Sequence, residues 1–173
     1  MDRSQKLRQL HSRCEYWYFM TLSEILKPEA IKVVASASSK KRLLHDVGDL
    51  ANSVYGYETA GLVTALMERE SLGPTGVGNG VALPHARLDE VKDMSAVFLL
   101  LEKPVDFDAV DRQPVDIVMA LFAPEAAGVE HLKALALVSR TLRNGDLCKK
   151  LRANHDASTL YALLTSDQNI QAA

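Results

Sequence analysis

Residues 76–87 read GVGNGVALPHAR: glycines at 76, 78 and 80, a short apolar run, a proline and then a histidine. Glycines so spaced invite a nucleotide-binding reading, which fails residue by residue. A dinucleotide fingerprint needs a glycine three residues after Gly78, where Val81 stands, and a P-loop needs lysine after Gly78, where Asn79 stands. The glycines are expected instead to serve unusual dihedrals and close backbone approach, leaving room for another molecule to come near. Pro84 sets its own φ and drives Leu83 toward an extended conformation, so His85 should start from a well-held strand end.

Working outward, AIKVVAS (30–36) is rich in β-branched residues and reads as a short strand. The following stretch places Leu43, Leu44, Val47, Leu50, Ala51 and Val54 at helical spacing, with a serine to cap its start and Gly56 its end. A second helix puts Leu62, Val63, Leu66 and Met67 on one face and stops at Gly73. GVALP is a short strand ending at Pro84. SAVFLLLE (95–102) and VDIVMALFAP (115–124) are continuous apolar runs suited to strands buried on both faces, and the turn-rich KPVDFDAVDRQP between them reads as a hairpin connection. An amphipathic helix is expected from Val129 to about Leu142, and shorter ones around DLCKKLRA and ASTLYALLTS. The interleaved order predicts an α/β fold: one domain with a mixed β-sheet flanked by α-helices.

The chain has 173 residues, 47% of them apolar and 24% charged, with a net charge of −2, so it carries no basic footprint for nucleic acid. Cys14 and Cys148 lie far apart and form neither a disulfide framework nor a thiolate metal site. The longest apolar runs fall well short of the ~20 residues that cross a bilayer, and the N-terminus does not read as a secretory signal. A soluble, cytoplasmic protein without membrane insertion is expected. Residues 1–19 match no clear element and read as an extension outside the core, with the domain proper over 20–173. An interaction arm anchored by Trp17 and Phe19 is the competing reading.

Imidazole titrates near neutrality, and its neutral form offers a lone pair that attacks phosphorus or binds metal. On spacing alone, a histidine after a strand is more often structural or merely exposed, so the loop by itself does not decide the role of His85. His11 and His45 should face solvent, and His155 sits in a loop. His131 opens the long helix, where unpaired N–H groups favour an anion. No two histidines have HxH or HxxxH spacing, so neither a metal site nor a cofactor is expected.

At GPTGVGNGVALPHAR the chain resembles the IIA components of the bacterial phosphoenolpyruvate-dependent phosphotransferase system, in the fructose–mannitol family. The similarity continues through FDAVDRQPVDIVMALFAP and EHLKALALVSRTLRN, over about residues 20–165, with the blocks in the family's order. It is most similar to the nitrogen-regulatory branch, in which the IIA domain stands alone; no attached HPr-like domain, IIB domain or permease is recognised here. The resemblance implies that His85, the histidine of the PH motif, accepts a phosphoryl group from a phosphohistidine on HPr or a similar donor. It further implies that Arg69 of MERESLG and His131 of VEHLKAL stand beside that site and stabilise the group. Regulatory target proteins are then the expected partners. A sugar-specific IIA passing phosphate to a IIB component, and a binding module that works without phosphorylation, are the alternatives. Neither the oligomeric state nor the targets follow from the sequence.

Overall fold

The computed structural model describes residues 20–166. The expectation for residues 1–19, with His11, Cys14, Trp17 and Phe19, lies outside them. In chain order the elements are α1 (Leu22–Ile25), β1 (Leu26–Val34), α2 (Lys40–Tyr55), α3 (Thr59–Ser71), β2 (Gly76–Gly78), β3 (Val81–Ala82), β4 (His85–Leu88), β5 (Ser95–Val105), β6 (Val115–Pro124), α4 (Val129–Leu142), α5 (Gly145–Arg152) and α6 (Ala157–Thr165). Among the described residues no helix is long and apolar enough to cross a membrane.

The strands form one six-stranded sheet in the order β1-β5-β6-β3-β2, with β4 also pairing β6. It is mixed: β1–β5, β3–β6 and β4–β6 are parallel, whereas β5–β6 and β2–β3 are antiparallel. The expected hairpin is therefore real, with Val97 opposite Ala120 and Leu99 opposite Val118. Ser95 through Leu101 and Ile117 through Ala123 are buried without a break, because helices cover both faces and no polar alternation is required. The core runs from these two strands to Leu43, Leu44 and Val47 of α2, Leu62 and Leu66 of α3, Ala134 and Val138 of α4, and Leu160 of α6.

The helix boundaries follow their caps. The Ser39 hydroxyl accepts from the Arg42 amide at 3.1 Å, and Gly56 closes α2 with a left-handed φ of 78°. The Glu58 carboxylate accepts from the amides of Ala60 and Gly61 at the start of α3. Three expectations are corrected. Met67 does not join the buried face of α3 but is 39% exposed. His45 is half-buried rather than solvent-facing. The first strand begins at Leu26, earlier than the β-branched run, and passes through Pro28. Pro28 is tolerated because β1 is an edge strand whose register breaks between Leu26, opposite Ala96, and Ile31, opposite Phe98.

Candidate functional site

His85 is the first residue of β4, opposite Leu121 of β6. The sequence placed it at the end of the preceding strand. Instead β3 stops at Ala82, and both short strands pair with β6 across a Leu83–Pro84 interruption. Proline has no N–H to give a ladder, yet its carbonyl still accepts from the Leu121 amide at 3.0 Å. Leu83 and Ala86 are buried and His85 is half-buried, so the backbone is held while one edge of the ring stays accessible. The Nδ1–H donates to the Leu83 carbonyl at 2.9 Å. A carbonyl can only accept, so Nδ1 carries the proton and the lone pair of the neutral ring lies on Nε2.

Arg69 addresses that lone pair. It sits in the last turn of α3, where its Nε–H donates to His85 Nε2 at 3.1 Å and its Nη1–H to the Gly73 carbonyl at 3.0 Å. The planar guanidinium meets two acceptors at fixed angles, which an ammonium cannot do. The third predicted residue also arrives. His131, in the first turn of α4, is 8% exposed, and its ring centroid is 5.5 Å from that of His85. Its Nδ1 is buried without a hydrogen-bond partner among the described residues.

These residues line a cleft of about 610 Å³ together with Ala65, Glu68, Leu72, Arg87 and Glu125. Burial pushes the His85 proton affinity below the ordinary histidine value; the Leu83 carbonyl acts against that, and the Arg69 charge adds to it. Burial likewise lowers His131, with His85 and Arg87 contributing in the same direction. Both rings are therefore neutral around neutral pH. The arrangement offers one nucleophilic nitrogen, guanidinium donors aimed at it, and a second imidazole alongside. Among the described residues no group of three or more His, Cys, Asp or Glu side chains comes together to hold a metal ion.

The family described as phosphoenolpyruvate-dependent sugar phosphotransferase system, EIIA 2, matches residues 24–167. The chain belongs to that family. Within the EIIA 2 family it is 42% identical to a nitrogen regulatory protein of Bradyrhizobium diazoefficiens over 145 residues, 84% of this chain and 95% of that protein. It is 36% identical to the nitrogen regulatory protein of Escherichia coli strain K12 over 150 residues, 86% of this chain and 92% of that one. Among solved structures, the nitrogen regulatory protein IIA-Ntr of Neisseria meningitidis superposes with a TM-score of 0.76 at 35% identity, covering 83% of this chain and 98% of that chain. The mixed sheet with its helices is thus the fold of this EIIA branch.

The glycine loop adopts the unusual dihedrals expected, with Gly78 at φ 103° and Gly80 at φ 76°, but the close approach it permits is filled from within the chain. A Cβ on Gly76 would stand 2.8 Å from Ala109 Cβ, and one on Gly80 would stand 2.6 Å from Arg152 Nη2 and 2.8 Å from Asp116 Oδ1. The close approach is made by the chain's own 107–116 segment and by the Arg152–Asp116 pair, which also holds the Asn79 carbonyl at 2.7 Å. None of those glycines lines the cleft, which opens between the end of α3, β4 and the start of α4. Sequence reasoning also passed over Arg87. Strand alternation could have found it, because residues 85 and 87 share one face of β4.

Proposed function

We propose that the protein is a cytoplasmic phosphocarrier whose His85 Nε2 accepts a phosphoryl group from an HPr-like phosphohistidine donor. Its phosphorylation state then governs binding to regulatory proteins that report nitrogen or metabolic state. The observation that carries this reading is the Nδ1–H···O=C bond to Leu83, which leaves the Nε2 lone pair facing a cleft lined by Arg69 and His131. In the transfer, the donor's N–P bond breaks as the Nε2–P bond forms. The electron pair of the broken bond returns to the donor imidazole. The Nδ1 proton stays with His85, and the Leu83 carbonyl supports the positive charge that grows on the ring. Arg69 releases the lone pair and moves its donors onto the phosphoryl oxygens. His131, whose Nδ1 is buried, presents Nε2 to the same group. Little covalent work remains for the protein, so positioning and charge support supply the catalysis. A module that bound partners without phosphorylation would need no such constellation, and the nitrogen regulatory relatives favour the regulatory over the sugar-specific role.

Incubation with phosphoenolpyruvate and the donor cascade, followed by mass analysis, tests the reading. One phosphoryl group should be gained, lost in acid and retained in alkali, as for a phosphoramidate. No gain, or an acid-stable adduct, overturns it.

A further inference from the structure

Glu70 directly follows Arg69, yet its carboxylate does not line the His85 cleft. Its side chain is 6% exposed and its Oε1 accepts from the Lys40 ammonium at 2.8 Å. The Thr75 amide donates to both carboxylate oxygens at 3.1 and 3.2 Å, and the Thr75 hydroxyl donates to Oε2. Burying a carboxylate is costly unless its lone pairs are met, and here cation, amide and hydroxyl all meet it. Thr75 is thereby pinned beside β2, and its carbonyl accepts from the Leu83 amide at 2.9 Å. The opposite side of that residue is the Leu83 carbonyl, which receives the Nδ1–H of His85 at 2.9 Å. The turn held this way, residues 72–75, also carries the Gly73 carbonyl that orients Arg69.

We propose that Glu70 is a positioning residue, setting the tautomer and aim of His85 through Thr75 and Leu83. The assignment rests on His85 as the phosphoryl acceptor, but the mechanism is separable from transfer. A histidine ring free in water prefers its proton on Nε2, the nitrogen that must stay bare here. The site therefore works against the ring's own preference. It succeeds while the Leu83 carbonyl is held 2.9 Å from Nδ1 and the Arg69 Nε–H, oriented by the Gly73 carbonyl of the same turn, donates to Nε2 at 3.1 Å. Glutamine at position 70 would keep the shape but lose the charge. It would also turn an N–H₂ toward Lys40 or toward a Thr75 donor. The Thr75 anchor should loosen, the Leu83 carbonyl drift, and the Nε2–H form become populated.

The experiment is a long-range ¹H–¹⁵N correlation on ¹⁵N-histidine protein without donor, above the titration range of the ring. Wild type, Glu70→Gln and Thr75→Val are compared, with His85 signals assigned from His85→Ala. Transfer rates are then measured on the same samples. Wild type should show the Nδ1–H form. Glu70→Gln should show a mixture and a rate lower by about 10-fold, within the ~10²-fold that a misplaced reacting group can cost. Thr75→Val, which removes the hydroxyl donor alone, should shift both readings the same way by less. An Nε2–H wild type, or an unmoved tautomer in both variants, overturns the proposal. So does slowed transfer with an unmoved tautomer, since Glu70 would then only brace the fold. If Glu70→Gln does not fold, Thr75→Val decides by the same criteria. A wild type that never takes up phosphate refutes the carrier role but leaves the tautomer reading intact.

Discussion

Replacing Arg69 by alanine removes two hydrogen bonds, 3.1 Å to His85 Nε2 and 3.0 Å to the Gly73 carbonyl. Their effects on phosphoryl acceptance oppose one another. A donor lost from the transition state costs on the order of 10²- to 10³-fold in rate. The bond to the Nε2 lone pair, however, must be released before attack, and its absence spares that step a part of the 1.5–3 kcal/mol typical of a charged hydrogen bond, roughly. The net loss should thus fall at the lower end, about 10²-fold, equivalent to ~2.7 kcal/mol. A pH signature accompanies it. The Arg69 charge helps hold the His85 proton affinity down, so its removal lets the ring protonate at higher pH. Because only the bare nitrogen attacks, the acid limb of the rate profile should move to higher pH in Arg69→Ala. In Arg69→Lys the charge stays and the limb should stay with it, while the rate recovers only in part because an ammonium cannot span both acceptors. The assay is a time course of transfer from the phosphorylated donor to each variant across the titration range of histidine. Wild-type rates in Arg69→Ala, or an acid limb that does not move, would refute the role given to the guanidinium.

His85→Ala should take up no phosphoryl group while melting close to wild type, since the half-buried ring adds little to the core; labelling of that variant by mass spectrometry would place the acceptor elsewhere. His131→Ala should still be labelled, only more slowly. Because His131 binds its proton less readily folded than at the ordinary value of 6.5, the unfolded chain holds more protons below that pH and the fold weakens on acidification. Melting curves on either side of that pH should therefore show a smaller acid-side loss in His131→Ala than in wild type. Deleting residues 1–19 should leave melting and phosphoryl acceptance unchanged, since residues 20–166 already contain the core and the cleft; early melting or aggregation would show that Trp17 and Phe19 pack into the domain.

The elements most legible in the sequence were those set by near neighbours. Helix α4 runs from Val129 to Leu142 as its periodicity predicts, and Ser39 and Gly56 bound α2 because a cap is a contact within a few residues. The buried runs of β5 and β6 were equally plain, since strands covered on both faces need no alternation. Less legible were β1 and β4. Pro28 and Pro84 argue locally against strands; an edge position with a broken β5 register accommodates the first, and a gap between β3 and β4 in an unchanged β6 register accommodates the second.

For the site, the residue types and their order in GVALPHAR, MERESLG and EHLKAL determined which side chains to compare, and the family resemblance supplied their roles. The sequence could not say that Arg69 would touch Nε2 of His85 or that His131 would stand 5.5 Å away. It also misjudged what fills the space at the glycines, whose missing Cβ atoms make room for Ala109 and Arg152 of the same chain. Those outcomes depend on contacts between segments up to 73 residues apart, as in Arg152 to Asn79. Local spacing carries no information about such pairs, because it is the sheet order and the packing of α3 and α4 beside β4 that bring them together.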